Sequence, residues 1–351
     1  MAHNTLCLTV APCFALPLPI ASPIGASFIC NMELIFAHQI GFDQLRENQF
    51  DYFIAASGYE NRCTYLIDSN SINATHKIAL AFNDKKDFLF RKKNDKRFSD
   101  ERFIFIEELV RENSKIIEFL DNVIIENKGF KKIKILIDYS CMSKVWYAGI
   151  LEYFIFNEVN TNDLEIYFSY SSAVFSEPVN PEKNNLPKDS RELLRVNHIS
   201  HKPLALILGL GYEKYITQKL IQKFDYKSIF AFYSDPAFDN RYADRVLKNN
   251  KKILSKLPDE HIIKYPIGDF KQTDNLLTSL TISLRLNYQV AILTIGPKPF
   301  TLSSLLLAAR YPDIEVWSLD PGFSPPAYNR NPTGEPMVCK VVFSNDEDSF
   351  L

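Results

Sequence analysis

The chain has 351 residues, of which 46% are apolar and 23% charged, and its formal net charge is −2. This is the composition of a soluble globular protein, and the length exceeds what one hydrophobic core usually serves, which predicts about two domains. A charge this close to zero provides no overall field for a polyanion, and the best basic run, residues 92–97, is followed by compensating acids, so duplex nucleic acid is not indicated as a partner.

Residues 1–31 contain no Lys, Arg, Asp or Glu, and four prolines interrupt their apolar stretch. A secretory signal needs a basic n-region, and a membrane span needs about 20 unbroken apolar residues, so neither pattern fits. We expect a disordered leader that contributes nothing to the fold, with Met32 as an alternative natural start. A weak signal peptide is the second interpretation, and no membrane partner is expected.

Three of the six cysteines lie in that leader, and the others are Cys63, Cys141 and Cys339. They form neither a zinc-type spacing nor a disulfide framework, and Cys141 has no obvious base beside it, which favours a packed thiol over a nucleophile. Scattered thiols of this kind indicate a reducing cytoplasm. We therefore expect a cytoplasmic protein without a metal or a bound cofactor.

Apolar runs and helix-compatible stretches alternate along the remainder of the chain. In the first half, predicted strands cover 52–58, 77–84, 102–109, 132–140 and 164–172, with helices at 114–125 and 144–156. In the second half, predicted strands cover 204–213, 228–236, 261–270, 289–297 and 314–322, with helices at 215–224, 275–285 and 302–312. Continuous apolar strands that alternate with helices predict a parallel sheet covered on both faces.

The two halves repeat at nearly constant offsets. Gly58 and Gly211, each followed by Tyr-Glu, are 153 positions apart, and Ser140 and Gly296 are 156 apart. We therefore predict an α/β protein with two Rossmann-like parallel-sheet units related by internal duplication. Chance similarity of two ordinary α/β domains is the alternative.

The composition also suggests where the units end. The expected organisation is a first domain at 32–175, a second domain at 204–330 and a C-terminal tail at 331–351. Residues 176–203, rich in Pro, Asn and charge, are predicted to be a linker with one short helix.

Ligands of open parallel sheets bind beyond the carboxyl ends of the strands, so the polar residues that follow each predicted strand are candidate ligand-binding residues. In the first half these are Ser57, Gly58, Tyr59, Glu60, Arg62, Asp84, Asp138, Ser140, Ser143 and Lys144. In the second half they are Gly211, Tyr212, Glu213, Asp235, Gly296, Lys298 and Thr301.

The stretch at residues 137–151, IDYSCMSKVWYAGIL, is the most informative of these sites. Hydroxyls, exposed backbone amides and Lys144 at the start of a helix suit a phosphate, and Asp138 could hold a ribose hydroxyl. The equivalent stretch at 294–307 supplies Lys298 and Thr301 without the acid.

The stretch at residues 137–151 has an acid, a hydroxyl two residues later and a base at the start of the next helix. The pattern resembles the ligand-binding turn of CRISPR-associated Rossmann-fold (CARF) sensor domains, although the glycine pair of that turn is missing here. Two such units in one chain resemble the SAVED arrangement, in which paired sensor domains bind cyclic oligonucleotides in prokaryotic antiviral defence. The resemblance is topological and covers roughly residues 51–320. It implies a nucleotide-binding sensor or regulatory protein. The implied ligand is a cyclic oligonucleotide or another phosphate-bearing small molecule, and the implied protein partner is an effector.

Two other classes of function remain open. The first is an enzyme acting on a nucleotide or sugar phosphate, with Glu60 or Glu213 as general base and Asp84 or Asp235 assisting. The second is a non-catalytic assembly subunit that binds a partner through the proline-rich segment 320–336, which could also cover the second-half site.

Overall fold

The computed structural model describes residues 32–68, 72–126, 132–157, 163–177, 189–194, 200–212, 216–320 and 328–344. Within these ranges the chain forms two sheets, of seven and six strands, in which parallel pairs predominate, with helices between successive parallel strands. The predicted α/β class is therefore confirmed. The leader at 1–31 and Glu213 lie outside the described residues.

The first unit is built on the seven-stranded sheet. Its elements are β1 (Glu33–Ile40), α1 (Phe42–Arg46), β2 (Gln49–Ser57), α2 (Tyr65–Asp68), β3 (Asn73–Phe82), α3 (Arg91–Asp100), β4 (Ile104–Glu108), α4 (Ser114–Glu126), β5 (Lys132–Asp138), α5 (Lys144–Phe156) and β6 (Asp163–Tyr170).

The second unit is built on the six-stranded sheet. Its elements are β7 (Asp189–Leu194), β8 (Leu204–Gly209), α6 (Ile216–Ile221), β9 (Tyr226–Ser234), α7 (Asn240–Leu254), β10 (Ile262–Tyr265), α8 (Phe270–Arg285), β11 (Gln289–Thr294), α9 (Lys298–Arg310) and β12 (Ile314–Asp320). The last strand, β13 (Met337–Ser344), returns to the first sheet.

Both sheets contain five parallel strands in the same order. The order is β4-β3-β2-β5-β6 in the first sheet and β10-β9-β8-β11-β12 in the second. In each unit the strand order reverses beside the first parallel strand, which places a topological switch point between β2 and β5 and another between β8 and β11. The Gly-Tyr pairs follow the equivalent strands β2 and β8, as a duplication requires, and the duplication itself stays a prediction.

Two segments differ from the predicted organisation. Within the predicted linker 176–203, the described residues contain β7, which pairs antiparallel with β12. Residues 178–188 and 195–199, where the predicted short helix could lie, are outside the described residues. The predicted tail 331–351 contains β13, which lies antiparallel between β1 and β6. Both strands cover what would otherwise be the open edge of a parallel sheet, and the valines of β13 suit a buried strand. The chain therefore passes from the second unit back to the first.

Three hydrophobic clusters define the layers. The largest fills the space between the sheets and contains side chains of α4, α5, α8 and α9. The opposite face of the first sheet packs against α1, α2 and α3, and that of the second sheet against α6 and α7. Helices α5 and α9 are mostly apolar and almost fully buried, as expected of helices at the centre of a large protein. Their first residues, Lys144 and Lys298, therefore lie where the units meet.

Candidate functional site

Two lysines cross between the units in reciprocal directions. Lys144, the first residue of α5, donates hydrogen bonds from Nζ to the carbonyl oxygens of Thr294 (2.6 Å) and Gly296 (3.1 Å). Lys298, the first residue of α9, donates from Nζ to the carbonyl oxygen of Ser140 at 2.7 Å. The β5–α5 turn therefore faces the β11–α9 turn. We call this contact the seam.

The seam is an unfavourable place for a cation. A helix N-terminus is positively polarised and repels positive charge, and burial removes the hydration of an ammonium group. Burial lowers the pKa of Lys298 most, and the positive charge of Arg62 lowers it further, so the pKa falls to about 8. The carbonyl oxygens that it contacts supply only partial negative charge.

Glu60 is the centre of a buried ion cluster next to the seam. Its Oε2 accepts a hydrogen bond from Arg62 Nε at 2.7 Å, and its Oε1 accepts one from Arg330 Nη1 at 2.7 Å. Burial alone would raise the pKa of Glu60, but Arg62, Arg330 and Lys298 outweigh it and lower the pKa to about 2. Glu60 is therefore ionised across the physiological pH range.

Arg330 links the Gly-Tyr turns of the two units. Besides Glu60 in the first unit, it donates to the hydroxyl of Tyr212 in the second unit at 3.3 Å and to that of Tyr328 at 2.5 Å. The hydroxyls of Tyr212 and Tyr328 also contact each other. The sequence did not single out Arg330, because its partner Glu60 lies 270 residues away along the chain.

Residues 328–334, which we call the strap, hold Arg330 in place. The Arg330 carbonyl accepts a hydrogen bond from the backbone N–H of Arg62 at 3.3 Å, and Asn329 Oδ1 accepts one from the N–H of Asn61 at 2.8 Å. Thr333 donates its N–H to the carbonyl of Ser172 at 3.1 Å. The strap therefore lies over the strand ends of the first unit, and Tyr328 and Arg330 also contact Tyr212, a predicted residue of the second-half site. Residues 321–327 of the proline-rich segment lie outside the described residues.

Cations outnumber ionised carboxylates in this part of the molecule. Among the described residues of the cluster, Arg62, Arg330 and Lys298 face Glu60 and Asp138. Burial raises the pKa of Asp138 to about 6, although hydrogen bonds from Ser140 and the charges of Arg62 and Lys298 oppose the rise. The cluster therefore has an excess of positive charge at neutral pH and a larger excess below pH 6. Such an excess favours an anion.

The Asp138 carboxylate also fixes the seam turn. Its Oδ1 accepts hydrogen bonds from the backbone N–H of Ser140 at 3.0 Å and from the Ser140 hydroxyl, and that hydroxyl accepts from the N–H of Ser171 at 2.7 Å. Ser143 is the N-cap of α5, and its Oγ accepts from Trp146 N–H at 3.2 Å. Asp138, Ser140 and Ser143 therefore all shape the turn that presents Lys144.

We expect Asp138 to make stability fall as pH rises through mildly acid values. Its folded pKa of about 6 exceeds an unfolded pKa of about 4, so the folded protein binds more protons between these values and loses stability with rising pH. At about 1.4 kcal/mol per pKa unit the loss is roughly 2–3 kcal/mol. Urea unfolding of wild type and Asp138→Asn between pH 4 and pH 7 measures it. The variant should lack this component, and identical pH dependence of the two proteins would contradict the assignment.

Two buried asparagines support the Gly-Tyr turns in the same way. Asn94 of α3 donates from Nδ2 to the carbonyl of Gly58 at 2.8 Å, and Asn250 of α7 donates from Nδ2 to that of Gly211 at 2.8 Å. Both asparagines lie in lysine-rich sequences that are typical of solvent-exposed helices, so the sequence did not indicate them as site residues. Their separation of 156 residues matches the offset of the two halves and is the signal that could have revealed them.

Other predicted site residues lie outside this cluster or have structural contacts. Ser57 donates its hydroxyl to Asp95 Oδ1 at 2.6 Å, and Tyr59 packs edge-on against Phe88. Asp235 forms an exposed ion pair with Lys264 at 3.0 Å.

Glu60, one of the two predicted general bases, forms ion pairs with Arg62 and Arg330. A carboxylate with a pKa of about 2 is a weak general base at neutral pH. Burial, Cys63 and Glu60 raise the pKa of Cys141, which disfavours the thiolate that a nucleophile needs.

Within the described part of the chain, no group of His, Cys, Asp and Glu side chains is placed to hold a metal ion. None of the described helices combines the length and the apolar character of a membrane span. Comparison of the chain with protein-family models, curated proteins and solved structures finds no match in any of the three. A function for the chain therefore has to be inferred from the geometry of the seam.

Proposed function

We propose that the chain binds a phosphate-bearing nucleotide at the seam and acts as a sensor or regulatory protein. The observation that most supports this is the excess of cations, the buried Arg62 with the partly buried Arg330 and Lys298, where the carboxyl ends of two parallel sheets face each other. Switch points of this kind are the usual ligand sites of open α/β sheets, and two helix N-termini add to the preference for an anion.

In this proposal the phosphate oxygens take over the contacts that carbonyl oxygens make with the two lysines. An ammonium group is attracted more strongly by an ionised phosphate oxygen than by a carbonyl oxygen, which carries only a partial negative charge, so the exchange favours the ligand. Because Lys144 and Lys298 each contact the opposite unit, their release would loosen the seam. Ligand binding would then change how the units contact each other, which is what a sensor requires.

A cyclic oligonucleotide is the ligand that the resemblance to CARF and SAVED proteins implies, with an effector protein as the partner that responds. Several phosphates in one ligand suit a site with cations from both units. The enzyme alternative has less support, because Glu60 is paired with two arginines and holds a pKa of about 2. The assembly-subunit alternative has less support because the strap is hydrogen-bonded to the chain's own first unit.

A thermal-shift panel of mono-, di- and cyclic oligonucleotides tests the proposal. A ligand present at 100 times its Kd should stabilise the folded state by about 2.7 kcal/mol. Chromatography of the stabilising compound after incubation with the protein distinguishes a sensor from an enzyme. An intact compound supports the sensor, and a hydrolysed compound supports the enzyme. A panel in which no nucleotide raises the melting temperature would refute nucleotide binding and favour the assembly subunit.

A further inference from the structure

A layer of buried hydroxyl groups lies directly beneath the lysines of the seam. Tyr139, Tyr147 and Thr301 are all 0% exposed, and their side-chain oxygens form no hydrogen bond with any described residue. Most buried polar groups in folded proteins have a partner, and a missing one weakens the folded state. Three such groups in one layer therefore call for an explanation.

The positions of these hydroxyls relate them to the seam. Tyr147 follows Lys144 by three residues on α5, and Thr301 follows Lys298 by three on α9, so each lies on the same helix face as its lysine. The hydroxyl groups of Tyr147 and Thr301 are neighbours. Burial raises the pKa of Tyr147, and the nearby Thr301 hydroxyl counteracts part of that rise. The geometry between the two hydroxyl groups is nevertheless not that of a hydrogen bond.

The hydroxyl layer is continuous with the ion cluster. The ring of Tyr139 lies 5.3 Å from that of Tyr147 and 5.4 Å from that of Tyr170, measured between centroids. The Tyr170 hydroxyl in turn accepts a hydrogen bond from Arg62 Nη1 at 3.4 Å. A ligand whose phosphate contacts the cations would therefore place its next chemical group against this layer.

We propose that Tyr147 and Thr301, together with Tyr139, bind the sugar hydroxyls of the nucleotide whose phosphate lies at the seam. Uncharged hydroxyls can both donate and accept, which matches the hydroxyls of a ribose ring, whereas the oxygens of an ionised phosphate only accept. The inference rests on the proposed function and adds a ligand class to it, a ribonucleotide in preference to its deoxy counterpart. The sugar reaches this layer when the lysines release their carbonyl partners and the N-terminal ends of α5 and α9 separate.

The variant Tyr147→Phe tests the inference with two readouts. In the absence of ligand it should raise the melting temperature, because it removes a buried hydroxyl that has no partner. Its affinity for the ribonucleotide that most stabilises wild type should fall by up to about tenfold, the loss of one neutral hydrogen bond. Its affinity for the 2′-deoxy analogue or for inorganic pyrophosphate should change less. Thr301→Val should behave in the same direction.

Tyr153→Phe is the matched control on the same helix. The Tyr153 hydroxyl donates to Asp121 Oδ1 at 2.7 Å, so its removal should lower the melting temperature and leave ribonucleotide affinity unchanged. If Tyr147→Phe also lowers the melting temperature, its hydroxyl already has a partner such as a buried water, and the inference is wrong.

The outcomes also separate this inference from the proposed function. If ribonucleotides bind wild type and Tyr147→Phe equally well, the sugar assignment fails while nucleotide binding stands. If neither pyrophosphate nor any nucleotide binds wild type, the proposed function fails and the sugar assignment fails with it.

Discussion

Replacing Glu60 with glutamine should lower the free energy of unfolding by about 3–5 kcal/mol, the range for removing one partner of a buried ion pair. Glu60 is 8% exposed and Arg62 is 3% exposed, so Arg62 cannot exchange the lost carboxylate for bulk water without a rearrangement. Urea denaturation at neutral pH measures the change. The variant should regain part of its stability in phosphate buffer, because an anion can replace the missing charge.

Glu107→Gln provides the control for this substitution. Glu107 forms an ion pair with Lys86 in which both side chains are 50% exposed, and pairs of this kind contribute less than about 1 kcal/mol. The same chemical change should therefore have a small effect at Glu107 and a large one at Glu60. Equal losses at the two positions would show that the buried cluster does not depend on its carboxylate.

Replacing Gly296 with alanine should destabilise the protein by about 3 kcal/mol, the upper part of the range for overpacking. A Cβ atom at this position would lie 2.4 Å from the carbonyl oxygen of Leu210. That atom belongs to the backbone and cannot rotate away, and the N–H of Gly296 donates to the carbonyl of Gly209 at 2.8 Å. The strand ends of β8 and β11 would have to separate.

Gly268→Ala is the matched control, because a Cβ atom there would meet only Phe238 at an ordinary 3.7 Å. Its free energy of unfolding should change by less than about 0.5 kcal/mol. A similar small effect at Gly296 would mean that the β8 and β11 ends are not as close as described. The Gly296 carbonyl also accepts a hydrogen bond from Lys144, so the substitution should disturb the seam as well.

The sequence was sufficient to predict the ten parallel strands of the two sheets, but not β1, β7 and β13. Buried parallel strands are continuous apolar runs, and each is followed by a polar turn, so the switch-point residues Asp138, Ser140 and Gly296 could be identified from local pattern alone. The start of α5 at Lys144 follows from the same alternation, whereas α9 begins at Lys298, ahead of the predicted helix at 302–312. These features depend on residues that are neighbours in the chain.

The features that sequence reasoning missed depend on residues that are distant in the chain. Arg330 and Glu60 are 270 residues apart, and nothing local to the strap indicates that its arginine enters the first unit. Residues 331–351 were predicted to be a tail, and nothing local to β13 specifies which sheet edge it joins. The two lysines were predicted to lie at strand-to-helix junctions, but their hydrogen-bond partners lie in the opposite unit. Packing between units determines all three.

Isothermal titration of the most stabilising nucleotide into wild type, Lys298→Met and Lys264→Met tests the central claim most directly. Lys264 is an exposed lysine paired with Asp235, so its replacement changes the net charge equally without touching the seam. A hydrogen bond to a charged group contributes about 1.5–3 kcal/mol, so Lys298→Met should raise Kd by a factor of roughly 10–100, and Lys264→Met should leave it unchanged. Equal affinity of folded Lys298→Met and wild type would contradict a phosphate site at the seam.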